Sequence, residues 1–284
     1  VLSGLFVVLR RQGRWEEALE ALERWKTVDP QGYMTALESS NTYKLLRNYE
    51  TAEEEMRRAI AIAPDRPDAY LSGAWNYVMW DGSTERARRL LESAPDLESS
   101  EIEYQTLLHD LYDRKPESAL AKLEESSHDS FSVQYWYAPT ELLECVCLSE
   151  MGERERAEAA CVSAVDLLHH EIEATPHDHR LYNALGHAFA LLGRKEEAIR
   201  AGEHAVELMP ISKDAIDGPQ QAIQLATIYA GVGETNKALD LIDELLSIPC
   251  ELLSVGLLRL DPVWDPLRDH PRFQALLEKY GREQ

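Results

Sequence analysis

The sequence is short of basic residues, and this shortage bears on the partners it can have. Its 284 residues include 51 Asp and Glu but only 29 Lys and Arg, so the formal net charge is −22. Because so acidic a chain repels phosphate backbones, we expect no nucleic-acid partner, whereas a basic peptide or protein face would be attracted. The same acid excess also serves simply to keep helix surfaces soluble, and that interpretation stays open.

Cysteine is scarce as well. The four cysteines, Cys145, Cys147, Cys161 and Cys250, form no C-x-x-C pair and no dense disulfide framework. This usage favours a reducing compartment, so we predict a cytoplasmic location. Cys145 and Cys161 fall at facing positions of one helical hairpin and could approach each other, but we expect two buried thiols that pack as small apolar side chains.

Long apolar runs are missing, which excludes membrane insertion within this chain. The opening stretch VLSGLFVVL is apolar for only nine residues, too few for a span, and it lacks the basic start of a signal peptide. Leu2, Leu5 and Leu9 fall on helical positions, so we interpret the stretch as a helix of a truncated first unit, in a fragment of a longer protein. The alternative, the end of a membrane span that lies before it, stays open.

Motifs that carry chemistry are also lacking. The sequence contains no G-x-S-x-G, no S-x-x-K set and no P-loop. The histidines from His169 to His179 lack the H-E-x-x-H order of a zinc site, and we interpret them as a solvated helix end. Asp261, Asp265 and Asp269 lie next to prolines, and we interpret them as capping residues. We predict no catalytic, metal or cofactor-binding residues, no cofactor, and no enzymatic activity.

What the sequence does contain is a repeated helical hairpin, clearest in residues 179–211. Read at a period of 3.6, this stretch is two amphipathic helices joined by a break at 192–194. Small residues at Gly186, Ala198 and Ala205 allow two antiparallel helices to approach closely. Pro210 ends the unit. The pattern therefore predicts a compact helix-turn-helix.

This unit resembles the tetratricopeptide repeat, whose pattern is W-x2-L-G-x2-Y, then A-x3-F, then P, over about 34 residues. The matching positions are Tyr182, Leu185, Gly186, Phe189, Ala198 and Pro210. Gly202 departs from the pattern, since an aromatic residue is usual there. The resemblance implies a solenoid that offers binding surfaces more often than chemistry.

Six further units become visible when the chain is aligned on the alanine of the second helix. The seven alanines are Ala18, Ala52, Ala87, Ala119, Ala157, Ala198 and Ala238. The first unit is truncated, and the fourth and fifth are degenerate. We therefore predict an all-α fold: a right-handed superhelical solenoid of about seven repeats over residues 1–252, followed by a C-terminal cap with a final helix over residues 253–284.

The cap carries its own motif, L-x-L-D-P-x-W-D-P-L-R-x-x-P-R-F, over residues 258–273. It resembles the closing segment of tetratricopeptide arrays in bacterial protein kinases, adenylate cyclases and winged-helix regulators. The resemblance implies a bacterial signalling protein. Trp264 and Phe273 are expected to cover the apolar end of the seventh unit, against Ile242 and Leu245 or their neighbours.

In this repeat family the first helix of each unit lines the concave side, which implies a set of groove residues. They are Asn41, Lys44, Trp75, Met79, Tyr104, Leu108, Tyr112, Asn183 and His187. We predict a protein- or peptide-binding scaffold, the interaction or regulatory region of a bacterial signalling protein. The alternative is a small-ligand sensor with an aromatic pocket in the middle repeats. A long groove would support the scaffold, and a closed pocket would support the sensor; the sequence specifies neither partner nor oligomeric state.

Overall fold

The computed structural model describes residues 2–95 and 99–282, and these residues form a solenoid of helical hairpins. Fourteen α-helices pair into seven antiparallel hairpins, and each hairpin packs on the next. The helices are α1 (Leu2–Arg11), α2 (Trp15–Val28), α3 (Tyr33–Leu45), α4 (Tyr49–Ile62), α5 (Asp68–Asp81), α6 (Thr84–Glu92), α7 (Ser100–Tyr112), α8 (Pro116–Glu125), α9 (Thr140–Glu150), α10 (Arg154–Ala174), α11 (His179–Leu191), α12 (Lys195–Leu208), α13 (Asp217–Gly231) and α14 (Thr235–Leu246). The predicted all-α solenoid is confirmed.

The hairpin of α11 and α12 shows why these sequences form the fold. Asp178 caps the start of α11 through a side-chain oxygen that accepts the Arg180 backbone N–H. A Cβ on Gly186 would lie 2.6 Å from Ile228 Cδ1 and 3.2 Å from the Ala198 carbonyl oxygen. Ala198 itself is fully buried. Gly186 and Ala198, two small residues of the repeat pattern, therefore lie where α11, α12 and α13 pack together.

The turns between paired helices need a left-handed residue, and two arginines supply it. Glycine holds this position in most of the hairpins, with Gly193 at φ +70° as an example. Arg47 and Arg114 adopt φ values of 59° and 60° at the equivalent turns of the second and fourth hairpins. A bulky residue pays a steric cost there. Both side chains reach the C-terminal part of the chain, as described below.

A short β-hairpin precedes α9 and was not predicted. Strands β1 (Ser130–Val133) and β2 (Trp136–Pro139) pair antiparallel, with Phe131 opposite Ala138. The sequence here is a polar stretch at 126–130 followed by an aromatic run at 135–137. Phe131 and Ala138 are buried in the core beneath α7 and α9. The aromatic run therefore forms part of a folded insertion.

After α14 the chain turns back into the interior of the solenoid. We call residues 250–267 the return segment; it contains α15 (Val255–Leu260) and a 3₁₀ helix (Pro262–Leu267). The final helix, α16 (Pro271–Gly281), then packs on α14 and α15. Trp264 and Phe273 are buried in one cluster with Ile242 and Leu245, as the sequence predicted.

The return segment bridges to hairpins far away in the sequence. α15 lies on α5, and a Cβ on Gly256 would be only 2.8 Å from the Met79 carbonyl oxygen. Arg47 donates to the Leu245 carbonyl at 3.0 Å, and the Arg114 guanidinium forms a bidentate pair with Asp265, one bond being 2.8 Å. The C-terminal part of the chain therefore joins the second, third and fourth hairpins.

The first hairpin also meets the far end of the solenoid. Arg11 pairs with Asp214, and the Ala215 backbone N–H donates to the Arg11 carbonyl at 2.8 Å. These contacts join the end of α1 to the loop between α12 and α13, so the solenoid encloses its interior. None of the helices in the described part of the chain has the length and apolar composition needed to cross a membrane.

Candidate functional site

A central cavity of about 740 Å³ lies inside the curled solenoid. Its walls come from α3, α5, α7, α9, α11 and α13, from the β-hairpin and from the return segment. Eight of the nine predicted groove residues line it: Asn41, Lys44, Trp75, Tyr104, Leu108, Tyr112, Asn183 and His187. Met79 does not line it. Its side chain is fully buried in the core of the third hairpin, because α15 covers this part of α5.

The return segment fills part of the groove that an extended peptide would need. Trp75 Nε1 donates to the Glu251 carbonyl at 3.1 Å, and Lys44 Nζ pairs with the Glu251 carboxylate at 3.2 Å. Lys44 and Trp75, two of the predicted groove residues, therefore contact the chain's own return segment. The concave side is therefore a partly enclosed cavity rather than a long open groove.

Aromatic rings form the middle of the cavity wall. The Trp136 ring stacks on Tyr104 with centroids 3.9 Å apart, and Phe131 packs behind Tyr104 at 5.6 Å. The β-hairpin positions Trp136 here. The Gln221 side-chain amide donates to the Tyr135 carbonyl at 3.2 Å and so holds the tip of the hairpin. The aromatic run of the sequence thus becomes one face of the site.

Two cations line the cavity, and both are neutralised by neighbours. Lys44 is buried between Glu251 and the Ser72 hydroxyl, each at 3.2 Å. Arg180 pairs with Asp178 at 2.6 Å and also donates to the Val133 carbonyl at 2.9 Å. Neither cation is therefore free to attract an anionic ligand.

Asn183 is a buried amide in the wall of the cavity, where Gln221 holds it. Gln221 Nε2 donates to the carbonyls of Tyr135 and Asp217, so its Oε1 must be an acceptor. That oxygen accepts Asn183 Nδ2, which leaves Asn183 Oδ1 facing away from Gln221. Asn183 is 4 % exposed, and its Oδ1 has no partner among the described residues. A buried acceptor of this kind costs stability until a donor reaches it.

Gln105, on α7, is a second amide whose nitrogen is hydrogen-bonded and whose oxygen has no partner among the described residues. Its Nε2 donates to the Leu71 carbonyl at 3.2 Å, which fixes the orientation of the amide. Gln105 Oε1 is buried and unpaired within the described residues. Gln105 and Asn183 line the same cavity. Each of these two amide nitrogens donates one hydrogen bond and keeps a second N–H, while the amide oxygen is enclosed by the protein.

His187 is fixed as a neutral ring in the same wall. Its Nε2 lies 2.7 Å from Gln224 Oε1, so this nitrogen carries the proton. Burial lowers the pKa of His187, and the hydrogen bond to Gln224 opposes this only in part. The imidazole is therefore a neutral positioned group and adds no positive charge to the cavity.

Asp261 is one of three acids of the return segment that line the cavity, together with Glu251 and Asp265. Its Oδ1 accepts the Val263 backbone N–H at 3.0 Å, which is the capping role predicted from sequence. Burial raises the pKa of Asp261 to about 6. Burial, and after it the charge of Asp261, also raises the pKa values of Tyr104 and Tyr112. Asp261 and these two tyrosines line the same cavity.

Sequence reasoning missed Asp261 as a cavity residue because the capping motif explains it completely at the local level. It also missed that Tyr135 and Trp136 line the cavity. In both cases the side chain reaches the cavity only because a distant element folds back across the interior. No pattern in the neighbouring sequence indicates that these side chains reach the cavity.

Two other sequence expectations have an outcome in the structure. Cys145 and Cys161 are joined by a disulfide that links α9 to α10, so the expectation of two free thiols is wrong. The residues face each other across one hairpin, with Cα atoms 5.1 Å apart. Since disulfides persist mainly in oxidising compartments, this bond weakens the sequence argument for a reducing one. Within residues 2–95 and 99–282, no group of three or more His, Cys, Asp or Glu residues is placed to hold a metal ion.

Sequence models described as tetratricopeptide repeat match three stretches of the chain. The matched residues are 1–32, 37–66 and 179–211. These stretches correspond to the first, second and sixth hairpins. No curated protein matches the whole sequence closely enough to be counted as a relative.

Solved structures with the same fold share little sequence with the chain. A tetratricopeptide repeat protein from Parabacteroides merdae has a TM-score of 0.53 and 14% identity, covering 99% of this chain and 97% of its own. The Cut9-Hcn1 hetero-tetramer structure of the APC/C has a TM-score of 0.51 and 12% identity, over 98% of this chain and 55% of that one. Human IFIT1, solved as a dimer with m7Gppp-AAAA, has a TM-score of 0.51 and 13% identity, over 94% and 67%. These likenesses concern the fold alone.

Proposed function

The chain is a tetratricopeptide repeat protein, and from that premise we propose that it is a non-enzymatic binding module whose ligand occupies the central cavity. Tetratricopeptide repeat proteins generally serve as protein-interaction scaffolds. The observation that carries the proposal is the cavity of about 740 Å³ behind the return segment, with the stacked rings of Tyr104 and Trp136 in its wall. Cavities of this size and composition are typical of small-molecule sites.

The closed interior favours the sensor over the peptide scaffold. An extended peptide would have to displace the return segment, which Lys44, Trp75 and Arg114 hold in place. A compact ligand needs no such displacement. We therefore place the ligand site in the cavity and any protein partner on the outer surface, where the net charge of −22 would favour a basic partner over nucleic acid.

The kind of protein that we propose this module belongs to is the one implied by the C-terminal motif. The run over residues 258–273 supports a place in a bacterial signalling protein. In that setting a ligand in the cavity would contact the return segment and the repeats together, so its binding would stabilise the closed solenoid. A ligand that binds one conformation of a regulatory region more tightly shifts the population toward that conformation. We retain the cytoplasmic location as a proposal, with the Cys145–Cys161 disulfide against it.

A fragment screen on the purified chain tests the cavity. Ala190 lines the cavity on α11, and we expect Ala190→Phe to fill part of it and weaken fragment binding at least tenfold. Ala159→Phe, at an exposed position of α10, is the matched control and should bind like the intact chain. Ligand-observed NMR gives the affinities, and melting curves confirm that both variants fold. Fragment binding that is unchanged in Ala190→Phe would place the site elsewhere.

A further inference from the structure

The first hairpin carries an exposed apolar face on α1. Leu5 is 44 % exposed and Val8 is 52 % exposed, and their spacing of i and i+3 places them on one side of the helix. Nothing lies within 4 Å of a Cβ added to Gly4 beside them. Phe6 and Leu9 of the same helix are buried in the core of the first hairpin. The described part of the chain therefore covers α1 only in part.

The position that Val8 holds in the first hairpin is buried in all six later hairpins. Val8 lies five residues before the left-handed turn residue Gly13. The residues at the same distance before the other six left-handed turn residues are Thr42, Tyr77, His109, Cys147, Ala188 and Ile228. None of them is more than 7 % exposed. This position is therefore a contact between successive hairpins, and the first hairpin presents it without a neighbour.

The contact between the sixth and seventh hairpins shows which element covers this position. Leu225 and Ile228 on α13 are the equivalents of Leu5 and Val8, and both are buried. A Cβ added to Gly202 on α12 would lie 2.8 Å from Ile228 Cδ1 and 2.9 Å from Leu225 Cδ1. The absence of a side chain at Gly202 therefore leaves a recess for two large residues. The covering element is the second helix of the preceding hairpin.

A second copy of this chain has no free helix of that kind. Gly202 lies four residues after the hairpin alanine Ala198, and every second helix has an equivalent residue. The seven equivalents are Leu22, Met56, Leu91, Leu123, Cys161, Gly202 and Ile242. All of them are buried by the neighbouring hairpin or by the C-terminal cap. The helix that covers α1 must therefore be one that residues 2–95 and 99–282 do not contain.

We propose that the exposed face of α1 binds a partner protein through the second helix of a tetratricopeptide-type hairpin. The partner helix carries glycine or alanine four residues after its hairpin alanine, because Leu5 and Val8, like their equivalents on α13, are large side chains that need a recess. The contact continues the packing of hairpin on hairpin from the partner into this chain, so that the two proteins form one longer array. This surface is separate from the central cavity and is tested independently of it.

A consensus tetratricopeptide array of about three repeats is the probe, because such arrays are readily designed and three repeats suffice for stability. Its last helix is copied from α12, with the glycine at position 202, and no cap follows it. By isothermal titration calorimetry on the intact chain, we expect this array to bind at least tenfold more tightly than the same array closed by a capping helix. Gly202→Phe in the probe should also weaken binding at least tenfold, since phenylalanine fills the recess that Leu5 and Val8 need.

Val8→Glu in this chain should weaken binding of the uncapped array at least tenfold, because the contact would bury an unpaired charge. Val162→Glu is the matched control, since Val162 is 45 % exposed on α10, and it should bind the array as the intact chain does. Both variants replace exposed side chains, and melting curves confirm that both fold. Unchanged binding in Val8→Glu, or equal binding of the capped and uncapped arrays, would overturn the proposal.

Two further measurements separate the partner from other occupants of the face. Sedimentation velocity on the intact chain alone should show a monomer, and a dimer that Val8→Glu dissociates would assign the face to a second copy instead. The same titration on the polypeptide as it is made in its own cells should again show binding of the uncapped array. Loss of binding there would assign the face to another hairpin of the same polypeptide and overturn the partner.

Discussion

At the residue scale, Asp261 is an acid whose ionised form the fold disfavours. Burial raises its pKa from 3.8 to about 6. The folded chain therefore binds this proton more tightly than the unfolded chain does, so the contribution to stability is present below about pH 4 and is lost as the pH rises toward about 6. Tyr104, Tyr112, Arg114, Asp265 and Arg268 are the ionisable groups that surround it.

Asp261→Asn should remove this pH dependence. We expect the variant to be more stable than the intact chain at pH 7 by about 1–3 kcal/mol, since the buried charge is gone and the cap remains. The difference should shrink to nothing below about pH 4, where the aspartate is protonated in both states. Urea unfolding at a series of pH values measures it, with Asp269→Asn as the control. Parallel stability profiles for the intact chain and Asp261→Asn would contradict the prediction.

Arg47 and Arg114 show how residue conformation and long-range contact are linked. Each holds a left-handed turn position that glycine fills in other hairpins, at a steric cost. Each side chain also reaches the C-terminal part of the chain, at Leu245 and at Asp265. Glycine at either position would remove the backbone strain, but the side-chain contact with Leu245 or Asp265 would be lost. The sequence thus accepts local strain where an anchor is needed.

At the element scale, the docking of α15 on α5 depends on the absence of a side chain at Gly256. An added Cβ would lie 2.8 Å from the Met79 carbonyl oxygen and 3.1 Å from the Trp80 carbonyl oxygen and the Gly82 nitrogen. These are backbone atoms of α5 and its end, which cannot move aside as a flexible side chain can. The two helices can therefore approach this closely only with glycine.

Gly256→Ala should lower stability by about 1–3 kcal/mol, because overpacking at this contact outweighs the better helix propensity of alanine. Gly4→Ala is the matched helical control, since nothing lies within 4 Å of the added Cβ; it should be neutral or slightly stabilising. Melting temperatures of the two variants and the intact chain give the comparison. If Gly256→Ala melts like Gly4→Ala, α15 does not dock on α5 as described.

At the scale of the whole molecule, contacts between distant hairpins change how damage at one end of the solenoid should affect the rest. In an open array each repeat contacts only its neighbours, so damage at one end stays local. Here the return segment contacts α3, α5 and the turn after α7, while α1 contacts the loop before α13. Stability is therefore shared between hairpins that are distant in sequence.

Deletion of residues 261–284 tests this shared stability. It removes the 3₁₀ helix and α16, and with them Trp264 and Phe273 from the last core cluster. We expect a lower melting temperature, aggregation detected by light scattering, and faster amide hydrogen exchange in α7 as well as in α13 and α14. A chain that ends at Arg282 is the control and should match the intact protein. Faster exchange confined to α13 and α14 would indicate an open array with a local cap.

What the sequence by itself determines is the local architecture. Helical periodicity, the small residues at Gly186 and Ala198, and the spacing of the hairpin alanines predict the seven hairpins, because each hairpin is specified by contacts within about 34 residues. The resemblance to the tetratricopeptide repeat implies which face of each first helix points inward. This is why residues such as Trp75, Tyr104 and Asn183 lie on the interior wall as expected.

Only the tertiary structure decides that the interior is closed. The curvature of a solenoid is the sum of small rotations between successive hairpins, and no local pattern specifies that sum. It brings Arg11 to Asp214 and places the return segment beside Trp75. Asp261 illustrates the division: its sequence motif predicts a cap, which it forms, but its place in the cavity lining follows from the path of the return segment across the interior.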